Sequence, residues 1–137
     1  MKISKRQMRV QWGDCDPAGI VFFPRYFEYF NISTEMHLEI CFGRKKPQWV
    51  ADYGIIGIPS VGAQAKFISP SRFGDDIIVE TAFTEIRRSS FSLQHRIYNN
   101  GMLAVEGKET RVWAGRDPGD PSRMMGMPLP DELTRLR

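Results

Sequence analysis

Residues 6–12 alternate, with Met8, Val10 and Trp12 on one side and Arg9 and Gln11 on the other. That is the period-two pattern of a half-buried strand. The segment "GDCDPAG" (13–19) interrupts it with glycine, Asp-Pro and glycine, and reads as a turn. The period then changes. Between Pro24 and about Phe42, apolar residues such as Tyr26, Phe27, Tyr29, Phe30, Ile32, Leu38 and Ile40 cover much of a helical circumference. Pro24 suits a first helical turn, where its missing N–H loses no bond, and Gly43 suits the closing left-handed position. A helix apolar on so many sides is expected to be wrapped by other structure.

Residues 47–53 fit a short second helix between Pro47 and Gly54. Beyond it nearly everything reads as strand: 55–68, 76–88, 89–99 and 102–115, with Asn100-Gly101 marking a hairpin. One strand, a turn, a long helix and a four-strand antiparallel meander predict an α+β fold, a curved sheet rolled round a central helix. Residues 116–137 are rich in proline and glycine and are expected to form a tail, mobile in its first half, with a helical turn from Pro130. No repeat or linker divides the chain, so one domain over 1–137 is expected.

Composition narrows the function classes. The 137 residues carry 19 Lys and Arg against 16 Asp and Glu, a net charge of +3. That excess, with no basic stripe interleaved with aromatics, argues against nucleic acid and suits a small anionic ligand. The start "MKISKRQMRVQW" has no apolar segment behind its basic residues, and the longest apolar run, "AGIVFFP", is too short to span a bilayer. No membrane association is expected. Two cysteines make no disulfide framework, so a cytoplasmic location with free thiols is the expectation.

The candidate chemistry starts at Asp16. An Asp before proline at a helix start is explained by turn and dipole effects alone. The same position, between a strand end and the N-terminus of a buried helix, also sits beside free backbone N–H groups. A carboxylate next to an oxyanion-binding pair of N–H groups is what acyl transfer needs. Asp14, Cys15 and Asp16 with no neighbouring His make a poor ligand set, so no metal is expected. His37 and His95 are each alone, no Gly-x-Ser-x-Gly elbow or Ser-His-Asp set is present, and Cys15 reads as an inert thiol. At "EIRRSSF" (85–91), Arg87 and Arg88 mark either a solvated turn or a phosphate clamp, with Ser89 and Ser90 adding donors.

"GDCDPAGIVFFPRY" (13–26) resembles the N-terminal motif of the 4-hydroxybenzoyl-CoA thioesterase family of hot-dog-fold proteins, and "GIIGIPSVGAQAKF" (54–67) and "EIRRSSF" follow in family order. The resemblance implies an acyl-CoA thioesterase active at a subunit interface, in a homodimer or a dimer of dimers. It places the catalytic carboxylate, nucleophile or general base, on Asp16 rather than Asp14, which is left as a turn residue. It places the thioester-carbonyl donor on the Phe23 N–H, CoA phosphate contacts on Arg87 and Arg88 with Ser90 beside them, and the acyl pocket on Phe22, Tyr26, Asn31 and Ile58. No cofactor is implied, since CoA is part of the substrate. Two departures bear on the acyl group: the family's helix Asp is Asn31 here, and a threonine of its "GTP" segment is Ile58. The lysine that follows the two arginines in the family is Ser89. A benzoyl-type acyl group, 4-hydroxybenzoyl included, is favoured; a hot-dog hydratase or a non-catalytic CoA-ester sensor are the alternatives.

Overall fold

The structure is a computed structural model describing residues 2–137. Strand β1 (Ser4–Arg9) leads through a 3-10 turn at Trp12–Asp14 to helix α1 (Arg25–Phe42) and a short α2 (Lys46–Tyr53). Strands β2 (Ser60–Phe67), β3 (Asp76–Ile86), β4 (Ser90–Asn99) and β5 (Met102–Val112) follow. The chain ends with β6 (Ala114–Asp117), β7 (Asp120–Gly126) and a single-turn α3 (Asp131–Thr134). Pro24 stands immediately before α1, and Gly43 and Gly54 close the two longer helices with φ of +67° and +65°. Asn100 and Gly101 both take positive φ, the requirement of a type I′ hairpin turn.

The expected arrangement, a long helix against a curved antiparallel sheet, is present, with three corrections. The sheet order is β1-β3-β4-β5-β2, so only β3 to β5 form a meander. Helices α1 and α2 carry the chain across the sheet, and β2 pairs with β5 at the edge opposite β1. The first strand stops at Arg9: Trp12 belongs to the 3-10 turn and is 63% exposed, its ring edge-on to Phe73. Residues 114–126 form a paired ribbon, β6 with β7, rather than an irregular tail. Behind that ribbon Leu129 and Leu133 are buried in the main core with Trp49 and Trp113.

The wrapping of α1 is one-sided. Tyr26, Tyr29, Phe30, Ser33, Thr34, His37 and Leu38 are buried, whereas Ile32 on the opposite face stays exposed, as does Ile40 near the C-terminal end. The core is divided into two apolar clusters, one around Val10, Tyr29 and Ile97, the other around Leu38, Phe91 and Trp113. Polar pairs cross the helix–sheet interface as well: Thr34 with Glu109, and Ser4 with His37. Gly107 sets how closely α1 approaches. A Cβ there would lie 2.4 Å from the Phe30 ring, which instead stacks on His95 at 4.6 Å and 5°. Among the described residues no helix is long and apolar enough to cross a membrane.

Candidate active site

The loop between β1 and α1 is a tight, hydrogen-bonded spur. Asp14 N–H donates to Gln11 C=O and Cys15 N–H to Trp12 C=O, closing the 3-10 turn. Phe22 N–H donates to Asp14 C=O at 2.8 Å, and Asp16 N–H to Ile20 C=O at 2.9 Å. Gly19 completes the tip at φ +78°, a left-handed conformation that favours glycine. The spur is fixed to the β2–β3 connection by Val21 N–H to Ser71 C=O and Phe73 N–H to Gly19 C=O.

Asp16 sits at this tip, half-buried. One carboxylate oxygen, Oδ1, accepts from Ala18 N–H at 2.9 Å, which leaves Oδ2 without a partner. Four residues past Gly19, the Phe23 N–H takes no backbone acceptor, and Pro24 has no N–H to offer. A carboxylate oxygen and an unused backbone donor at a helix start thus belong to one rigid loop. An unused N–H at a helix start is a place where negative charge is stabilised.

Asp14 does more than turn the chain. The buried Tyr29 hydroxyl donates to its Oδ2 at 2.9 Å, tying the loop to α1 across the interface. Burial and the bond to Asp14 push the Tyr29 phenol well above its ordinary range, so the hydroxyl stays a donor. Cys15 has its thiol pushed up by burial and by the charges of Asp14 and Asp16, which disfavours the nucleophilic thiolate.

The proposed pocket residues divide by exposure. Phe22 and Phe23 are about half exposed and stand edge-to-face, and Phe23 is edge-on to Phe67 of β2. Tyr26 is buried beneath them, against Phe67 and Tyr29. Ile58 is buried in the core beside Trp113, and its carbonyl accepts from Arg111. Asn31 is exposed on α1, and its Oδ1 accepts from Arg111 Nη2 at 2.8 Å.

Arg111 was not among the sequence candidates, and it ends a buried chain of polar contacts. Its Nη1 donates to Ile58 C=O, its Nε to Glu109 Oε1 and its Nη2 to Asn31. Glu109 also accepts from Thr34 at 2.5 Å and lies 3.5 Å from His95 Nε2. Thr81 meets His95 Nδ1 at 2.7 Å. Burial would push the Glu109 carboxyl up, but His95, Arg111 and Thr34 together outweigh it and hold it below its ordinary value.

Arg87 and Arg88 lie elsewhere. They form the β3–β4 turn, where Arg87 pairs with Glu85 and contacts Ser90 Oγ at 3.3 Å, while Arg88 is exposed. Arg137 joins this corner by donating to the carbonyls of Ile86 and Arg87, a contact that sequence spacing does not signal. The opposite end of β3, Asp76, pairs with Arg9 next to the Asp16 spur. Across an 11-residue strand the arginine corner stands roughly 35 Å from that end. A single chain does not bring Asp16 and the arginines together.

Comparison with known proteins bears on the fold and the family. Residues 10–135 match the family model described as the thioesterase-like superfamily. The chain is 33% identical over 127 residues to the 4-hydroxybenzoyl-CoA thioesterase of Pseudomonas sp. strain CBS-3, covering 89% of each. The solved structure of that thioesterase superposes with a TM-score of 0.89 and 29% identity, covering the whole of both chains. A gentisyl-coenzyme A thioesterase structure matches at a TM-score of 0.82 and 30% identity, over 96% of this chain and 99% of that one.

Proposed function

Because this chain belongs to the thioesterase-like superfamily and is a hot-dog-fold thioester hydrolase of the 4-hydroxybenzoyl-CoA thioesterase kind, we propose that it hydrolyses aroyl-CoA thioesters, with Asp16 as the reacting carboxylate. The observation that carries this is the hydrogen-bonded loop in which Asp16 Oδ2 and the Phe23 N–H are both left without a partner. The thioester carbonyl accepts from Phe23 at the start of α1, and Asp16 Oδ2 faces the acyl carbon, directly or across one water. The C–S bond breaks, CoA leaves as the thiolate, and water supplies the second oxygen of the acid. CoA enters as part of the substrate, and the scheme uses no metal or bound cofactor.

The acyl group follows from Asn31. It lies about 12 Å along α1 from Phe23 at 1.5 Å per residue. A benzoyl group hydrogen-bonded at its carbonyl and at a para oxygen spans a similar length, about 12 Å with bonds near 2.9 Å. Arg111 occupies Asn31 Oδ1 and Glu35 Oε1 accepts one amide N–H at 3.3 Å, so what the amide has left for a ligand is its second N–H. Flipping it would set two donors against each other. The ring substituent meeting Asn31 is therefore an acceptor oxygen, which a phenol, an ether or a phenolate supplies. Two thioesterases similar to this chain are named for 4-hydroxybenzoyl and gentisyl groups.

Completing the site requires a second copy. The arginine corner is too far from its own Asp16 to hold the same CoA, whereas β2 offers an open sheet edge with Val61 and Phe67 exposed. Pairing of β2 edges, with Phe22, Phe23 and Ile32 turned toward the partner, buries these residues and brings Arg87 and Arg88 of one chain to the other's Asp16. A homodimer, or two such dimers, is the assembly proposed, in the cytoplasm.

The test is free-thiol release from a panel of aroyl- and aliphatic acyl-CoAs. Turnover is expected on 4-hydroxybenzoyl- and 4-methoxybenzoyl-CoA to similar extents, because Asn31 donates to either. Asn31→Asp is expected to favour the hydroxyl over the methoxyl by about ten-fold or more. No turnover on any aroyl-CoA overturns the substrate class, and unchanged preference in Asn31→Asp overturns the role of Asn31.

A further inference from the structure

Helix α1 carries a second unspent polar group, far from the Asp16 loop. Of the buried side-chain nitrogens and oxygens among the described residues, His37 Nε2 and Trp49 Nε1 alone lack a partner. His37 is fully buried, and its Nδ1 is engaged by Ser4 Oγ at 2.5 Å. The imidazole forms part of the wall of a cavity of about 240 Å³, with Ile40 and Cys41 of α1, Phe83 of β3, and Arg135 and Leu136 after α3. That volume is below the ~300–1,000 Å³ of drug-sized sites and suits one ring or a short chain. His37 stands about 21 Å from Phe23 along the helix at 1.5 Å per residue, so this cavity is separate from the thioester loop.

The charges around the cavity are uneven. Glu132 also lines it, but its carboxylate is engaged by Arg44 and by the Tyr53 hydroxyl. Lys2 and Arg135 line it too, and among the described residues neither is paired with a carboxylate. Burial, then the charges of His95 and Lys2, hold His37 down to about 4. At neutral pH the ring is therefore uncharged, and its unpartnered Nε2, closed to solvent, makes a hydrogen bond only with a group that displaces the cavity wall.

We propose that this cavity is a second binding site, for a small carboxylate with an apolar body. The body packs on Ile40, Phe83 and Leu136, the carboxylate lies between Lys2 and Arg135, and His37 Nε2 bonds a polar substituent. Two unpaired cations, apolar walls and one buried hydrogen-bonding atom define an amphiphilic anion better than a neutral apolar molecule. Acids of this class are also what thioester hydrolysis releases; that correspondence rests on the hydrolase reading, whereas the cavity does not.

Cys41 makes the site readable. Its alkylation by a maleimide is followed by peptide mass spectrometry, with free N-acetylcysteine as the control thiol and benzoate or 4-hydroxybenzoate as probe. At about ten times its dissociation constant the probe is expected to slow Cys41 about ten-fold and leave the control thiol unchanged. Arg135→Glu is expected to remove the protection while thiol release from acyl-CoA continues at the wild-type rate; Leu136→Trp, which fills the cavity, is a second variant with the same expectation. No slowing at millimolar probe, equal slowing of the control thiol, or equal protection of Cys41 by CoA alone each overturns the proposal. Thiol release is measured separately, so an inactive protein with a protected Cys41 refutes the hydrolase reading and leaves this one standing.

Discussion

Two polar regions lie along α1, and they differ in what is left unspent. In the middle of the helix, Thr34, Thr81, His95, Glu109 and Arg111 form a buried set whose donors and acceptors answer one another. At the N-terminal loop, Asp16 keeps one carboxylate oxygen free and Phe23 keeps its N–H free. Buried charges are tolerated when fully partnered, and a partnered set holds geometry rather than doing chemistry. Open groups on a rigid loop are the ones available to a substrate. The lesson is that charge and burial alone would have chosen Glu109 and His95 as the reactive pair, whereas hydrogen-bond accounting points to the spur, where Asp14 and Asp16 each keep one carboxylate oxygen free.

That contrast can be broken from the scaffold side. Glu109→Ala strands Arg111 and His95 in the core and is expected to lower stability by about 3–5 kcal/mol, read as a shift in denaturant midpoint. Activity per folded molecule should survive; a stable but inactive Glu109→Ala would move the chemistry to the buried set. Gly107→Ala is the next largest effect. With no room between the strand and the Phe30 ring, α1 must shift, at a cost of about 1–3 kcal/mol in thermal or chemical unfolding. Unchanged stability would mean that the helix sits more loosely on the sheet than described.

Tyr29→Phe sharpens the comparison at the loop. It removes the hydroxyl that ties Asp14 to α1, one hydrogen bond to a charged group, worth about 1.5–3 kcal/mol at most and less at a half-exposed acceptor. Stability is expected to change little, while kcat falls several-fold because the Asp16 spur loses its anchor. Equal kcat for Tyr29→Phe and wild type would show that the turn's backbone bonds suffice.

The spur was legible because its chemistry is local. Asp-Pro, Gly19 and the Pro24 helix start all lie within a dozen residues of Asp16, and strand period and the Asn100-Gly101 turn marked most of the sheet. What was hidden depends on long-range pairing. Arg111 meets Asn31 and Thr34 meets Glu109 across large sequence separations, and no local pattern announces either. The sheet order was missed for the same reason: β2 reads as a neighbour of β3, but the crossing of α1 and α2 places it beside β5. Trp12 continued a strand alternation that the 3-10 turn ends after Arg9, and the proline-rich segment 116–126 concealed a ribbon.

The most direct measurement compares kcat for thiol release from 4-hydroxybenzoyl-CoA by wild type, Asp16→Asn and Asp14→Asn, with unfolding recorded for all three. The account predicts that Asp16→Asn loses about a thousand-fold or more in kcat with its stability intact. Asp14→Asn is predicted to lose far less. An active Asp16→Asn beside an inactive, folded Asp14→Asn would contradict it.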